Sequence, residues 1–271
     1  MISVLLSVYI NDELNVFIEA YNSIYYSQIL KPSEIVVVFD GPISSDIECF
    51  VLEEVSKGMP VKIVRSSINI GLGAALNLGL SHCSNDLIAR MDSDDISLPD
   101  RFQYQYDFMI SNPEVDIMGG FIHEFDQNRN LLNFRKVPLL HKKIISKLDY
   151  KNSMNHVTVM FRKNKILSIG GYETRFLSFE DYATWLKGRD VLCFQNIPKV
   201  FVNVRVNSLF LNRRSGLSYL LREINFYTYY LKEGKISLNW YLFNILSRAF
   251  LRLAPNFILK SIYKTTRVKN V

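Results

Sequence analysis

The first ninety residues alternate between short apolar runs and segments in which apolar residues recur every three or four positions. The runs, rich in Val, Ile and Leu, predict strands, and the segments between them predict helices. The predicted strands are 3–9, 34–40, 61–64 and 87–91, and the predicted helices are 13–27, 45–57 and 74–82. Strands this apolar, separated by helices, indicate an α/β fold with a mostly parallel sheet flanked by helices.

The second half of the chain has a less regular pattern. Two further strands and a helix are predicted at 115–120, at 157–162 and from about 180. From about Ser215 onward the pattern is helical, with aromatic residues and Leu mixed with Arg and Lys. Arg248 and Arg252 interrupt the most apolar stretch, so no run reaches the ~18 to 20 residues that span a bilayer.

Charge divides the chain into an acidic body and a basic tail. The net charge of the 271 residues is +6, but residues 205–271 hold twelve Lys or Arg against Glu223 and Glu233, a balance of +10. Residues 1–204 therefore carry −4. A basic, partly apolar helical tail predicts an amphipathic helix on an anionic membrane surface. The alternative is that the apolar residues pack onto the body and the charges face solvent.

Cysteine usage and the N-terminus bear on the cellular compartment. Cys49, Cys83 and Cys193 are odd in number and far apart, without CxxC spacing, and are expected to be reduced thiols of a cytoplasmic protein. The apolar first ten residues lack a basic leader and a small-residue cleavage site, which favours a buried first strand over a signal peptide.

A distinct polar cluster follows each of the first four predicted strands. Parallel strands present their carboxyl ends, and the ligands bound there, at one rim of the sheet. Asp92-Ser93-Asp94-Asp95 is the strongest cluster, because three adjacent carboxylates repel one another and suit a hard cation such as Mg²⁺ or Mn²⁺. The alternative is an Asp-rich turn in which Asp95 or Ser97 caps the next helix.

Two other clusters have chemistry of their own. Asp40 ends the second strand before Gly41 and Pro42, where its carboxylate is able to accept a hydrogen bond from a nucleobase; an ordinary β-turn is the alternative. The loop that starts at Asn69 carries two glycines into a helix, where backbone N–H groups suit phosphate, or where small residues simply permit close packing. The spacing is not GxGxxG, so it does not indicate a dinucleotide site.

Together these motifs resemble the family-2 glycosyltransferases of the GT-A fold, a Rossmann-like architecture. The resemblance covers about residues 2–190 and rests on SVLLSVYIN, VVVFDGP, NIGLGAALNLGL, IARMDSDD with LPDRF, NHVTVMFRK, GGYE and FEDYATWLK. Within the family, the sequence most resembles bacterial enzymes of O-antigen or capsule assembly. These are in particular β-1,3-galactosyl- or glucosyltransferases that act on GlcNAc linked through diphosphate to undecaprenol.

The resemblance implies a domain division and a role for each motif. Residues 1–204 form the catalytic domain, with a nucleotide-sugar half at about 1–112 and an acceptor half at about 113–204, and residues 205–271 form the tail. The implied donor-binding residues are Tyr9, Asp40, Asn69 and Asp92, with Tyr9 and Asp40 at the uracil and Asp92 on the ribose side. The implied metal ligands for Mn²⁺ or Mg²⁺ are Asp94 and Asp92. Phe39 stands where the family commonly has a second acid, so only the carboxylate of Asp40 is left to bind the uracil.

The pair Glu180 and Asp181 is implied to be catalytic, with Asp181 as the general base. Its sequence also fits a helix start capped by Ser178, and a carboxylate fixed there and kept ionised suits a base. His156 is either a metal or diphosphate contact or a structural histidine.

Two aromatic residues are candidates for the acceptor side. Tyr172 and Trp185 are able to stack on an acceptor sugar, with core packing as the alternative for Trp185.

The resulting hypothesis is an inverting, UDP-sugar-dependent hexosyltransferase, with galactose as the first choice and glucose or an N-acetylhexosamine as the alternative. We expect a lipid-linked GlcNAc acceptor, a peripheral location at the inner face of the cell membrane, and no nucleic acid partner. A nucleotidylyltransferase would need a basic glycine-rich loop near the N-terminus, which residues 7–15 lack. An inactive membrane-binding scaffold would show no dependence on a UDP-sugar.

Overall fold

The computed structural model describes residues 1–206 and 216–253. Its strands are β1 (Ile2–Val8), β2 (Glu34–Phe39), β3 (Val61–Arg65), β4 (Leu87–Arg90), β5 (Ile96–Ser97), β6 (Ile117–Phe125), β7 (Leu131–Arg135), β8 (Met160–Arg162) and β9 (Phe194–Arg205). Its helices are α1 (Leu14–Ile24), α2 (Ser45–Ser56), α3 (Leu72–His82), α4 (Arg101–Ser111), α5 (His141–Leu148), α6 (Lys163–Ser168), α7 (Glu180–Gly188), α8 (Leu217–Lys232) and α9 (Leu238–Leu253).

The strands form one nine-stranded sheet in the order β3-β2-β1-β4-β8-β6-β9-β5, with β7 paired to β6. Neighbouring strands among β1 to β4 are parallel, and so are β6 and β9, while the β4–β8, β6–β8, β6–β7 and β5–β9 pairs are antiparallel. The predicted mostly parallel α/β architecture is therefore confirmed for the first four strands. The sheet runs without interruption across the predicted boundary at residue 112.

Alternate residues of the central strands enter two separate hydrophobic cores. One face of the sheet contributes Leu5, Val36 and Val38. The other contributes Val4, Leu6 and Val37. Because both faces are buried, the strands are continuously apolar instead of alternating with polar residues. This explains why the apolar runs of the sequence locate β1 and β2 to within one or two residues.

Later elements depart from the predicted ones. The strand predicted at 157–162 begins instead as a 3₁₀ turn at His156–Thr158, and only Met160–Arg162 pairs in the sheet. The strand predicted at 115–120 continues to Phe125, and the short β5 and the edge strand β7 were not predicted. The helix expected after the acidic cluster begins at Arg101.

Helix α9 packs against the domain through Tyr241 and Ile245, as the alternative reading of the tail expected, and also through polar side chains, which that reading did not expect. Arg252 donates two hydrogen bonds of 2.9 Å to Glu223 of α8, and Arg248 lies 3.7 Å from the same carboxylate. The Asn244 amide donates to the carbonyl of Asp149 at 2.8 Å. The helix itself was predicted, but neither reading of the tail expected Arg248 and Arg252 to lie against a buried acid.

The solvent-facing side of α9 is apolar. It consists of Leu242, Phe243, Leu246, Phe250 and Leu253, whose exposed fractions lie between 49% and 71%. Within residues 1–206 and 216–253, no helix has both the length and the hydropathy to cross a bilayer. Six of the twelve basic residues counted in the tail lie outside the described residues.

Candidate active site

The polar clusters that follow β1 to β4 converge on one rim of the sheet, as their positions predicted. They line a cavity of about 570 Å³, here called the strand-end cleft, which is bordered by six of the predicted site residues. Those six are Tyr9, Asp40, Asn69, Asp92, Asp94 and Glu180. A second cavity of about 400 Å³, here called the helical cleft, adjoins it and is bordered by the seventh, Asp181. The two clefts share Asp92, Asp94, Ser178 and Tyr219.

Asp40 fixes the loop between β3 and α3. Its carboxylate accepts hydrogen bonds from the backbone N–H groups of Ile70 at 2.7 Å and Gly71 at 3.1 Å. The Asn69 amide donates to the Asp40 carbonyl at 3.3 Å. These two N–H groups are therefore already used, and the expectation that they face a phosphate is wrong.

Glycine at position 41 makes this close approach possible. Gly41 has a φ of +84°, and a Cβ atom there would lie 2.5 Å from the backbone nitrogen of Asn69. Any L side chain would push the loop away from the end of β2. The tight turn that the sequence indicated at Asp40 thus also sets the edge of the strand-end cleft.

Asp92 is held by a buried arginine of β4. Both carboxylate oxygens of Asp92 accept hydrogen bonds from the guanidinium of Arg90, which is 2% exposed. Such a bidentate pair fixes the orientation of the carboxylate. Each oxygen keeps a second lone pair, so Asp92 remains able to accept from, or to ligate, a group in the cleft.

Asp95 has a structural role that the sequence did not indicate. Its carboxylate accepts the backbone N–H of Arg205 at 2.9 Å, while the Arg205 side chain donates to the carbonyl of Asp94 at 3.1 Å. The end of β9 is thereby tied to the acidic motif. The N-cap of α4 is Asp100, without a side-chain bond, so the alternative in which Asp95 or Ser97 caps that helix is wrong.

Asp94 faces the junction of the two clefts. Water reaches its carboxylate, yet partial burial, followed by the charges of Asp92 and Asp12, raises its pKa to about 6. Among residues 1–206 and 216–253, no Lys or Arg forms an ion pair with Asp94, so negative charge accumulates here and a bound cation would relieve it.

Asp12 is a site residue that the sequence reasoning missed. It lines the strand-end cleft, and its carboxylate accepts the backbone N–H of Tyr9 at 3.1 Å. Burial is the main cause that raises its pKa to about 6, and the Asp92 charge adds to the increase. Its position three residues after Tyr9, at the end of the first strand, was the available signal.

Glu180 and Asp181 begin α7 and face different clefts. Asp181 accepts hydrogen bonds from the Asn152 amide at 2.6 Å and from the N–H of Tyr182 at 2.7 Å, which fix its direction. Burial and then the charge of Asp181 raise the pKa of Glu180 to about 7. The N-cap of α7 is Phe179, so the expected Ser178 cap is wrong.

Ser178 has an unusual conformation instead of a capping role. Its φ is +71°, in the left-handed region that a residue with a side chain rarely adopts. It lies at the border shared by the two clefts. A residue keeps such a strained backbone conformation only where the surrounding contacts enforce it.

His156 has the packing contacts of a structural histidine, but it also lines the helical cleft, so a contact with a metal or diphosphate stays a prediction. Its Nε2 lies 3.2 Å from the Tyr172 hydroxyl, and its ring packs against Trp185 with centroids 6.0 Å apart. Burial lowers its pKa well below the usual value, and the nearby Arg90 charge acts in the same direction. Trp185 is fully buried, as the core alternative predicted, and Tyr172 is 2% exposed, so neither stacks on a sugar.

The acidic residues at the junction suit a divalent cation in chemistry but do not surround one. In the described part of the chain, no three Asp, Glu, His or Cys side chains are arranged as a complete ligand set. Asp94 is a hard oxygen ligand at the border of the two clefts, and the remaining ligands would come from a diphosphate and water, as is usual for Mg²⁺.

The strongest comparisons are with bacterial glycosyltransferases. The chain is 35% identical to the UDP-Gal:alpha-D-GlcNAc-diphosphoundecaprenol beta-1,3-galactosyltransferase of Escherichia coli, over 97% of this chain and 94% of that protein. It is 36% identical to the amylovoran biosynthesis glycosyltransferase AmsE of Erwinia amylovora, over 98% and 99% of the two chains.

Solved structures share the fold at low sequence identity. Staphylococcus aureus TarS 1-349 in complex with UDP-GlcNAc superposes with a TM-score of 0.63 at 18% identity, covering 92% of this chain and 72% of TarS. The mannosyltransferase PcManGT of Pyrobaculum calidifontis, in complex with GDP-Man and Mn²⁺, gives 0.61 at 15%, covering 96% and 72%. The profile of the family described as Glycosyl transferase family 2 matches residues 3–171. With the GT-A fold and the sequence relatives in agreement, this chain belongs to glycosyl transferase family 2.

Proposed function

We propose that the protein transfers a hexose, galactose in the first instance, from a UDP-sugar to a lipid-linked GlcNAc during O-antigen or related polysaccharide synthesis. The observation that carries the proposal is the junction of the two clefts, where Asp92 and Asp94 border both and Asp181 faces the second. The galactosyltransferase relative supports this donor and acceptor. The AmsE relative supports the alternative of a different UDP-hexose in exopolysaccharide assembly.

The donor occupies the strand-end cleft in this proposal. A volume of about 570 Å³ is of the size that ligand sites commonly have. Tyr9 and Asp40 bind the uracil, Asn69 lies at the same edge, and Asp92 is turned by Arg90 toward the ribose side. The diphosphate then reaches Asp94 at the junction.

Asp94 is the proposed metal ligand, with Asp92 beside it, and Mn²⁺ or Mg²⁺ is the proposed ion. When bound, the ion supplies positive charge that stabilises the departing diphosphate. The protein contributes a carboxylate whose pKa is raised first by burial and then by the charges of Asp92 and Asp12, and a bound cation offsets both effects.

Asp181 is the proposed general base for an inverting transfer. It accepts the proton of the acceptor hydroxyl while the oxygen forms a bond to the anomeric carbon, and the bond from that carbon to the UDP oxygen breaks. Asn152 and the N–H of Tyr182 hold the carboxylate in place. Glu180, the neighbour of Asp181, borders the strand-end cleft, where the donor is proposed to bind.

The outward face of α9 is the proposed contact with the membrane, where a lipid-linked acceptor is found. The start of α8 lies close to the end of α9, because the Gly216 N–H donates to the Arg252 carbonyl at 3.2 Å, and Leu217 and Leu221 of α8 are also 61% and 56% exposed. An apolar surface of this extent is typical of an interaction site. Within residues 216–253, the proposed membrane contact is therefore apolar. The enzyme is proposed to be a peripheral protein at the inner face of the membrane.

The test is transfer by the purified protein from a panel of UDP-sugars to a GlcNAc-diphosphate-lipid analogue, followed by linkage analysis. We expect a β-linked hexose with UDP-galactose as the preferred donor. Absence of transfer from every UDP-sugar, with folded protein and Mn²⁺ present, would refute the proposal.

The role of Asp181 is tested in the same assay with Asp181→Asn, which keeps the size of the side chain but accepts no proton. Transfer should fall at least ~10²-fold with unchanged UDP-sugar binding. The matched control is Asp46→Asn, an acid in the first turn of α2 that borders neither cleft, which should transfer normally. More than about a tenth of wild-type activity in Asp181→Asn would exclude it as the base.

A further inference from the structure

We infer that Lys151, with Arg135 and Arg248, binds the phosphate group through which the acceptor sugar is attached to its lipid. All three side chains line the helical cleft that Asp181 also borders. The inference deepens the proposed function and rests on it, because it concerns how the same cleft recognises its acceptor.

The segment that carries Lys151 is held on both sides by the other two cations. Arg248 of α9 donates to the carbonyl of Tyr150 at 3.0 Å, and Arg135 of β7 donates to the carbonyl of Asn152 at 3.4 Å. Lys151 lies between these two anchored residues. The three cations therefore come from separate elements but are tied to one short segment.

This segment connects the proposed base to the apolar helix. The Asn152 side chain donates to Asp181 at 2.6 Å, and the ring of Tyr150 stacks on Trp240 of α9 with centroids 4.9 Å apart. Lys151 consequently occupies the position between the reacting hydroxyl and the surface proposed to contact lipid. The group that lies at that position in a lipid-linked sugar is its phosphate or diphosphate.

The electrostatic environment of Lys151 favours an anion. Partial burial, and then repulsion by Arg135, Lys147 and Arg248, lower the pKa of Lys151 to about 8. No carboxylate of residues 1–206 or 216–253 forms an ion pair with its ammonium group. Glu223, the acid on the facing helix, is already bound through both oxygens by Arg252. A bound phosphate relieves the repulsion and forms charge-assisted hydrogen bonds.

The experiment compares two soluble acceptors without vesicles: GlcNAc-diphosphate with a short alkyl chain, and an alkyl GlcNAc that lacks phosphate. Lys151→Ala should raise KM for the diphosphate acceptor at least about tenfold, with KM for the phosphate-free acceptor and for the UDP-sugar at wild-type values. Lys151→Arg should restore most of the affinity. The matched control is Lys143→Ala, an exposed lysine of α5 outside the cleft, which should leave KM unchanged.

Each other result overturns the inference in a distinguishable way. An unchanged KM for the diphosphate acceptor would show that Lys151 binds no phosphate of the acceptor. A raised KM for the UDP-sugar instead would assign the cations to the donor. An effect that appears only when anionic vesicles are added would assign them to lipid headgroups. If the wild type transfers to neither acceptor, the proposed function fails and the inference fails with it.

Discussion

Replacing Arg252 with Met tests whether α9 is attached to the domain by its arginines. Both guanidinium bonds to Glu223 are 2.9 Å long, and the Glu223 side chain is only 4% exposed. Arg252→Met keeps the length and the apolar stem of the side chain but removes both bonds. The Glu223 charge then remains buried, with Arg248 as its nearest cation at 3.7 Å.

The expected loss of stability follows from this geometry. Removing one partner of a buried ion pair typically costs about 3–5 kcal/mol. Arg252 is 18% exposed and Arg248 remains close, so we expect the cost to be lower, about 2 kcal/mol. For a chain of this size that corresponds to a melting temperature lower by roughly 4–8 °C. Changing Glu223 to Met as well removes the stranded charge and should recover most of the loss.

Thermal unfolding followed by circular dichroism measures these differences directly. The control is Arg222→Met on α8, the helix that carries Glu223; this arginine lies over the ring of Tyr219 at 5.3 Å, and the variant should melt close to the wild type. If Arg252→Met melts within 1 °C of wild type, or if the double variant is no more stable than the single one, the attachment of α9 rests on other contacts.

Three further predictions follow from the site and the surface. Asp94→Ala, or excess EDTA, should reduce transfer by several orders of magnitude, and full activity in either case would exclude the metal role. Burial holds the pKa of His156 in the folded protein well below its usual value of 6.5. When the pH falls below 6.5, the unfolded chain therefore gains a proton at this residue and the folded protein does not. The free energy of unfolding then decreases by up to about 1.4 kcal/mol for each pH unit. The melting temperature of His156→Asn should therefore decline less between pH 7 and 5 than that of wild type, and equal declines would contradict the burial argument. Leu246→Glu with Phe250→Glu should weaken vesicle binding without lowering transfer to a soluble acceptor; undiminished binding would place the membrane contact elsewhere.

The strand-end cleft was predictable because local sequence determines it. Strands buried on both faces are recognisable as apolar runs, and parallel strands bring their carboxyl ends together whatever the loops do. Tyr9, Asp40, Asn69 and Asp92 could therefore be placed at one rim before their contacts were known. The resemblance to family 2 added the assignment of Asp94 and Asp181, whose roles remain predictions.

Contacts between distant segments were not predictable in the same way. Arg90 reads as one more residue of a strand, and nothing local indicates that it holds Asp92. The bond from Asp95 to the end of β9 joins residues 110 positions apart. The orientation of α9 was misjudged because arginine is usually assigned to solvent, whereas Glu223 provides it with a buried partner.

The junction between the two clefts also lies between residues that the family profile matches and residues beyond that match. The strand-end cleft is built mainly from residues before Asp95, within the stretch that the family profile matches. The helical cleft also uses Asp181, Glu223 and Arg248, all beyond residue 171 where that match ends. In the proposed function, a substitution in these later segments alters the acceptor side of the junction without touching the strand ends that border the donor, so a change of acceptor does not require a change of donor site.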